Sequence, residues 1–404
     1  MVIDGARLTE NDPGRVIDDL VAAARSGPTA VDAELGLLYV LRYHEVDRLA
    51  HDRRMAGVGL TMFDLMGIKG PLRDWYSELM FTNEGEDHAR MRRLVSRAFT
   101  PRSVEQLRDY SRGLADATFT RMEEYGGGDL VDSFSLLGTR VMCRLLGVPA
   151  EDVEIFAGWS DALSRTFGIM DAGQIEQAGD ALEGMLDYTA ELVGRRGSRT
   201  RRDADSEDDL ISALLRAEDQ GDRLTRHEVV TMVSNLLVAA HDTTASQLSC
   251  SLLTLLRHPE SLPPIRNGEV PPGDVVTETM RFEPAIPAFP RTALEPIEIA
   301  GVERPAGTLV MLAVGSANRD PEVYADPDRF DVRRFSSPDI PRPLSFGTGP
   351  HFCLGSNLAR MIMEEVIARF AASDLRLDGD PDRVEWRSVL GRGPVSLPCQ
   401  YGHS

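Results

Sequence analysis

The chain has 404 residues, and 42% of them are hydrophobic, so it can bury a large core. Its 64 acidic residues outnumber its 44 basic residues and give a formal net charge of −20, which opposes nucleic-acid binding because that function needs a basic face. No apolar N-terminal signal and no run of about 18 apolar residues occur, so we expect neither secretion nor a membrane span. The four cysteines are scattered, which disfavours a zinc site or a disulfide scaffold. Together these features predict a cytoplasmic protein.

Most of the chain shows the three-and-four apolar spacing of amphipathic helices. Strand-like patterns are confined to two parts, about residues 30–50 and 285–315. Residues 261–274 are rich in proline and are predicted to form a loop. No repeat or linker divides the chain, so we predict one domain over residues 1–404, mainly α with minor β.

One long helix is predicted in the second half of the chain. Thr225 and Glu228 form a capping-box pattern at its start, and Pro259 marks its end. Its middle is apolar on nearly every side and is followed by Asp242 and Thr243, which are costly to bury without partners or a task. The pair either faces a neighbouring loop as a plain polar patch or relays protons to a ligand beside the helix.

Two further pairs share a helix face. Glu278 and Arg281 lie three residues apart, and they form either a surface ion pair or a buried pair that fixes a site. His88 and Arg92 lie four residues apart, and they either bind an anion or belong to a solvated basic face. The sequence alone leaves both choices open.

The cysteine loop, residues 346–355, places Cys353 among three glycines. A thiolate is a strong, soft metal ligand, and glycines let backbone amides approach the sulfur. Helix signals resume after the loop, and a helix N-terminus also favours the thiolate. The alternatives are an inert buried cysteine or a nucleophile with His351 as its base.

The order and spacing of these features resemble a bacterial cytochrome P450. Residues 346–355 match the haem-binding signature of that family, and Glu278-x-x-Arg281 falls where its K-helix pair should be. Residues 239–244 resemble the oxygen-binding groove of its long I helix. The resemblance implies a single-domain P450 fold with a long central helix and a haem b cofactor.

The resemblance also implies roles for individual residues. Cys353 would be the thiolate ligand of the haem iron, and Asp242 and Thr243 would deliver protons during dioxygen activation. The residues that contact the haem would be His88, Arg92, Arg291, His351, Phe346, Gly347, Gly355 and Ala239. The structural network would consist of Glu278, Arg281 and Arg329. The substrate pocket would contain Met62, Phe63, Val238, Ile286 and Phe289.

The implied function is that of a haem-thiolate monooxygenase. It would hydroxylate or otherwise oxidise an apolar, medium-to-large organic molecule in bacterial specialised metabolism. The chain carries no flavin, nicotinamide or iron–sulfur motif, so a ferredoxin and an NAD(P)H-dependent reductase would supply electrons to a monomer. We expect that ferredoxin to dock on the arginine patch, which consists of Arg90, Arg93, Arg97 and Arg360.

Three rivals remain at this point. Within the same fold, the protein could be a peroxide-driven or coupling enzyme. In a different functional class, it could be a haem-binding sensor or carrier without turnover. A cysteine hydrolase using Cys353 and His351 would be colourless. Two departures from the family pattern are also present. Ala240 stands where a glycine is usual and should narrow the groove, and Pro263-Pro264 should break a short helix.

Overall fold

The structure is a computed structural model. It describes residues 13–32, 36–168, 170–197, 209–219, 221–388 and 391–402. No helix within these ranges is both long enough and apolar enough to cross a bilayer.

Helices make up most of the described chain. In chain order they are α1 Val16–Ser26, α2 Tyr43–His51, α3 Thr61–Leu65, α4 Pro71–Glu78, α5 Gly85–Ala98, α6 Pro101–Glu105, α7 Arg108–Glu124, α8 Leu130–Phe134, α9 Leu137–Leu146, α10 Val153–Ser164, α11 Ala172–Gly197, α12 Leu210–Arg216, α13 Arg226–Arg257, α14 Leu262–Arg266, α15 Pro272–Phe282, α16 Val314–Ala317 and α17 Ser356–Ala371.

The strands are short and form five small sheets in the described residues. They are β1 Thr29–Val31, β2 Leu38–Val40, β3 Met55–Ala56, β4 Gly127–Asp129, β5 Glu218–Asp219, β6 Asp222–Arg223, β7 Phe289–Ala293, β8 Ile297–Ile299, β9 Val302–Arg304, β10 Leu309–Leu312, β11 Leu375–Leu377, β12 Trp386–Ser388, β13 Arg392–Pro394 and β14 Pro398–Tyr401. The largest sheet has the order β1-β2-β10-β7-β3, in which only the β2–β10 pair is parallel. A second sheet has the order β11-β14-β4, and three hairpins complete the set.

The helix α13 is the centre of the fold. Thr225 caps it, with both hydrogen bonds of the capping box to Glu228 present, so the start predicted from the sequence is confirmed. Helices α9, α10, α11, α15 and α17 and strand β13 all pack against it. Because it is surrounded in this way, residues 229–238 are buried on every side of the helix.

Three hydrophobic clusters make up the core of the described residues. The largest joins the helices around α13, and the two smaller ones pack against the five-stranded sheet. The mainly α class with minor β that the sequence predicted is confirmed. Both predicted strand regions contain strands of the five-stranded sheet, although residues 43–51 form α2.

Two expectations about secondary structure were wrong. The segment 261–274 contains the helix α14 and the start of α15. Pro263 and Pro264 lie in the first turn of α14, where the backbone N–H that proline lacks has no partner within the helix anyway. The strands β11 to β14 were missed because each has only three or four residues, too few to show an alternating pattern.

Candidate active site

The cysteine loop, residues 346–355, is held by its own backbone. The N–H of Cys353 donates a hydrogen bond of 2.9 Å to the carbonyl oxygen of Phe346. Gly347 and Gly349 have φ angles of +72° and +73°, which favour glycine. A Cβ on Gly349 would also lie 2.5 Å from a carbonyl oxygen of α2. Two of the three glycines are therefore required by the loop conformation.

The surroundings of the Cys353 sulfur have opposing effects on the pKa of its thiol. Burial raises the pKa of the thiol, whereas hydrogen bonds from the N–H groups of Gly355 and Ser356 and the charge of Arg92 lower it. Burial is the largest effect, so the net pKa is above the usual value. Two amide donors and a nearby guanidinium stabilise a thiolate, and this environment fits a cysteine that binds a metal.

Two histidines from distant parts of the chain stack beside this loop. The rings of His88 on α5 and His351 in the loop lie 4.2 Å apart between centroids. His351 Nε2 is 2.9 Å from an oxygen of Glu84, and the other Glu84 oxygen accepts the N–H of Gly57 at 2.7 Å. Sequence reasoning missed Glu84, although an acid directly before the first turn of a helix is a recognisable signal.

The side-chain donors of this cluster have few partners among the described residues. His88 is only 4% exposed, yet neither it nor Arg92 forms a hydrogen bond or ion pair with a described residue. Arg291 donates only to the carbonyl of its neighbour Pro290 and stacks over the ring of Phe289 at 4.9 Å. Burial, together with the charge of His351, lowers the pKa of His88 to about 4. Buried hydrogen-bond donors without partners are suited to binding an anionic group, and the carboxylates of a haem are such groups.

The central helix α13 exposes one narrow face amid its buried surface. Ala239 is exposed and Thr243, one turn further, is half-exposed, whereas residues 229–238 are buried. The hydroxyl of Thr243 donates to the carbonyl oxygen of Ala239 at 2.7 Å, so its oxygen is free to accept. The methyl group of Ala240 packs against the main core instead. This face could hold the flat edge of a cofactor and a small molecule.

Asp242, the neighbour of Thr243, is held by three groups. Its carboxylate lies 2.8 Å from Nη1 of Arg387 on β12 and accepts the N–H of Gly391 at 3.1 Å. Ser246 donates to it at 3.4 Å. Sequence reasoning missed Arg387 because it lies 145 residues away and belongs to no motif. The acid is therefore paired, which explains how it can be buried.

The opposite side of α13 is fixed against α9. A Cβ on Gly138 would lie 2.4 Å from the carbonyl oxygen of Ala240, so only glycine allows this approach. Thr139 hydrogen-bonds to Nδ1 of His241 at 2.8 Å. Burial lowers the pKa of His241. These contacts fix the rotation of α13, and hence the direction in which Ala239 and Thr243 point.

The predicted structural network is present with one change of member. Arg281 and Glu278 form a double hydrogen bond of 2.7 and 2.8 Å, and both side chains are 0% exposed. The third side chain is that of Arg334, whose Nε lies 3.3 Å from Glu278. The prediction for the Arg329 side chain is wrong, because that side chain is 70% exposed and only the backbone carbonyl of the residue accepts from Arg281.

The residues predicted for a substrate pocket divide into two groups. Phe63 and Val238 are 0% and 1% exposed, so they do not line a cavity in this structure and their assignment is corrected. Phe63 instead stacks on Tyr76 at 4.4 Å within an aromatic cluster. Ile286 and Phe289 are half-buried and stay candidates. The side chain of Met62 lies outside the described part of the structure.

The arginine patch is largely engaged with the protein itself. Arg90 binds the carboxylates of Asp222 and Glu228 with contacts of 2.5 and 2.6 Å. Arg360 donates to α15, at 2.9 Å to the hydroxyl of Thr277 and at 3.0 Å to a backbone carbonyl. Neutralised cations attract an acidic partner weakly, which argues against Arg90 as a docking residue.

Comparison with known proteins agrees with the geometry. The family described as "Cytochrome P450" matches residues 159–267 and 273–390. Luteothin monooxygenase of Streptomyces thioluteus is 34% identical over 391 residues, which cover 95% of this chain and 92% of that protein. The 6-deoxyerythronolide B hydroxylase of Saccharopolyspora erythraea is 34% identical over 361 residues, covering 87% and 86%.

Solved structures give the same result. The crystal structure of CalO2 superimposes with a TM-score of 0.88 at 29% identity, and the match covers 96% of each chain. The agreement extends over nearly the whole chain and includes the long central helix and the cysteine loop. The chain therefore belongs to the cytochrome P450 family.

Proposed function

We propose that this P450 monooxygenase binds haem b with Cys353 as the iron ligand, and that Asp242 and Thr243 serve proton delivery during the oxidation. The observation that carries the proposal is the sulfur environment, in which two amide N–H groups and Arg92 favour the thiolate of Cys353 in an otherwise buried loop. Haem with a thiolate ligand supplies the chemistry that reduces dioxygen and oxidises an organic substrate.

The protein residues bind and orient in this proposal. His88, Arg92 and Arg291 would donate to the haem carboxylates. Among the described residues, the only carboxylate whose charge acts on any of the three is that of Glu84, which acts on His88 and Arg291. The hydroxyl oxygen of Thr243, whose proton is donated to the carbonyl oxygen of Ala239, would accept a hydrogen bond from a water molecule or from the substrate. The carboxylate of Asp242 would take part in proton transfer beside Thr243. The ion pair with Arg387 fixes the position of that carboxylate.

We propose a large, mainly apolar organic substrate from bacterial specialised metabolism. Support comes from two relatives, which are named as a luteothin monooxygenase and a 6-deoxyerythronolide B hydroxylase. Electrons would come from a separate ferredoxin and its NAD(P)H-dependent reductase to a monomer in the cytoplasm. Phe352, 42% exposed beside Cys353, is a candidate contact for that ferredoxin.

The absorbance spectrum of the reduced protein with carbon monoxide tests the haem assignment. We expect a strongly red-shifted Soret band, which requires a thiolate ligand, and its loss in Cys353→His without loss of haem. Cys143→Ser is a suitable control because it removes the thiol of another buried, unpaired cysteine, which lies on α9 outside the cysteine loop. A colourless protein, or a band typical of histidine ligation in the wild type, would overturn the assignment.

Thr243→Ala separates the proposal from its rivals. In a monooxygenase the variant should divert most reducing equivalents into hydrogen peroxide, because proton delivery is misdirected. A peroxide-driven enzyme would keep its rate with added peroxide, and a sensor would show no ferredoxin-supported consumption of NADPH in either form. Product and peroxide would be measured together for each mole of NADPH.

A further inference from the structure

Helix α9 approaches the segment 239–244 of α13 more closely than a side chain would allow. A Cβ on Gly138 would lie 2.4 Å from the carbonyl oxygen of Ala240 and 3.2 Å from Cβ of Thr244, one turn further along α13. The hydrogen atom that takes the place of a side chain on Gly138 therefore points at that oxygen, as in the weak Cα–H···O contacts of helix interfaces. The two helix backbones are in direct contact here.

A buried hydrogen bond next to Gly138 holds the same turn of α13. Thr139 is 0% exposed, and the hydrogen bond that its hydroxyl forms among the described residues is with Nδ1 of His241 at 2.8 Å. A buried hydroxyl proton needs an acceptor, so Thr139 donates and the neutral imidazole carries its proton on Nε2. Burial lowers the pKa of His241, which agrees with a neutral ring. Thr139 thus fixes the orientation of this ring.

The segment 239–244 is held from its other side by the hairpin of β12 and β13. The carboxylate of Asp242 accepts from Arg387 at 2.8 Å and from the N–H of Gly391 at 3.1 Å. A Cβ on Gly391 would lie 3.1 Å from Cβ of Ser246, so this side is closely packed as well. A change on the α9 side would therefore strain the hydrogen bonds of Asp242.

The side chains of this turn point in different directions. The methyl group of Ala240 packs against the main hydrophobic core, and adjacent helix positions point about 100° apart, so it projects away from the side chain of Ala239. The hydroxyl of Thr243 donates to the carbonyl oxygen of Ala239 at 2.7 Å. The exposed face formed by Ala239 and Thr243 therefore moves with the backbone of this turn.

We infer that Gly138 and Thr139 are positioning residues for the oxidation, and that α9, rather than the side chain of residue 240, fixes the exposed face of α13. Gly138 acts by letting the two backbones touch, and Thr139 acts by holding His241. A side chain at position 138 would displace Ala240 and, within the same turn, the hydroxyl of Thr243. This inference rests on the proposed function, in which Thr243 serves proton delivery.

Infrared spectra of the haem-loaded, reduced protein with carbon monoxide test this inference. The C–O stretch responds to polar groups and steric contacts beside the bound gas, and Thr243→Val shows how far it responds to this face of α13. We expect Gly138→Ala to shift or split the band at least about half as far as Thr243→Val does. Ala240→Gly should shift it much less, because the methyl group that it removes packs in the core.

Gly158→Ala is the matched control for Gly138→Ala. Gly158 is exposed on α10, which also packs against α13, and a Cβ there would meet nothing within 4 Å. Alanine is the better helix former, so Gly158→Ala should keep or raise the urea midpoint of the haem-free protein, whereas Gly138→Ala should lower it. Gly158→Ala should also leave the C–O stretch unchanged.

Thr139→Val and Thr139→Ser form a second pair, which decides the result if Gly138→Ala does not fold. Valine removes only the hydroxyl and should broaden or shift the stretch, because Nδ1 of His241 is left without its donor. Serine keeps the hydroxyl and should give the wild-type band. In the assay of product and peroxide that tests Thr243→Ala, Gly138→Ala and Thr139→Val should raise the peroxide share about threefold.

The outcomes separate this inference from the proposed function. An unchanged stretch in both Gly138→Ala and Thr139→Val, or equal shifts in Gly138→Ala and Ala240→Gly, would overturn the inference. A red-shifted Soret band of the same carbon monoxide samples would show that the haem assignment stands in that event. An unchanged stretch in Thr243→Val would count against the proposed role of Thr243, and the urea midpoints would then decide the α9 contact alone.

Discussion

Two buried polar regions of the molecule satisfy their hydrogen bonds in different ways. In the network of Glu278 and Arg281, all three guanidinium nitrogens donate, to the carboxylate and to three backbone carbonyls. In the cluster of His88 and Arg92, neither side chain has a hydrogen-bond or ion-pair partner among the described residues. The first region satisfies its hydrogen bonds within the chain, whereas the second keeps donors available for the haem carboxylates that we propose.

This difference separates residues that maintain the fold from residues that bind. Breaking a buried ion pair in which every donor is satisfied costs a large part of the free energy of folding. Such a pair has no donor left to bind a cofactor. Buried donors without partners weaken the protein alone and stabilise it once an anion arrives. The predictions below test this distinction, beginning with the largest expected effect.

Glu278→Gln should reduce the free energy of unfolding by about 3–5 kcal/mol, because it leaves the Arg281 guanidinium buried without a charge partner. Urea unfolding followed by circular dichroism measures this loss in the haem-free protein. If the variant does not fold, Glu278→Asp provides the same test with a weaker perturbation. A loss below about 1 kcal/mol would show that the network is not required for the fold.

Arg334→Leu and Arg329→Leu test which arginine completes the network. Arg334 is 8% exposed and contacts Glu278 as well as backbone carbonyls, so its loss should cost about 2–3 kcal/mol. Arg329 is 70% exposed and should cost less than about 0.5 kcal/mol. Unfolding midpoints of the two variants in parallel give the answer, and the reverse order would restore the sequence-based assignment.

The arginines Arg329 and Arg334 show how much of the site could be predicted from the sequence. Motif order identified the cysteine loop, the long helix and the Glu278-Arg281 pair, because each rests on local spacing. The choice between Arg329 and Arg334 depends on how residues 325–336 turn, which no local pattern determines. The role of Arg387 could not be predicted from the sequence either, because its contact with Asp242 on α13 joins residues 145 positions apart.

The cluster around His88 predicts a pH effect on the haem-free protein. The pKa of His88 is about 4 in the folded protein and 6.5 in an unfolded chain. As the pH falls, the imidazole is therefore protonated in the unfolded chain before it is protonated in the folded protein. Stability is therefore present above about pH 6.5 and is lost toward pH 4, with about 2 kcal/mol lost between pH 7 and pH 5.

Urea unfolding of the wild type, His88→Gln and His51→Gln at both pH values checks this effect. His51 is exposed and serves as the control, so its variant should keep the full loss, whereas His88→Gln should lose most of it. Haem-loaded protein should show a smaller loss than haem-free protein, since haem carboxylates would favour the charged imidazole. Identical pH profiles for wild type and His88→Gln would contradict the burial argument.

Arg387→Leu should give the smallest effect, because it acts on Asp242 only through position. The carboxylate would keep the N–H of Gly391 and the hydroxyl of Ser246 but lose its ion pair, so it would sample more orientations beside Thr243. We expect about a threefold lower yield of product per NADPH and a larger solvent deuterium isotope effect on turnover. Both would be measured with a compound that shifts the haem spin state, and Arg387→Lys should restore most of the yield.

The charge-matched control for this last variant is Arg383→Leu. Arg383 lies four residues earlier, its side chain is 86% exposed, and that side chain lies 3.5 Å from the carboxylate of Asp380. A general loss of stability in this part of the chain would lower the yield without raising the isotope effect, whereas a misplaced proton donor changes both. If Arg387→Leu and Arg383→Leu behave alike, the ion pair between Arg387 and Asp242 serves only to satisfy a buried carboxylate. Its role is then structural, like that of the network around Glu278.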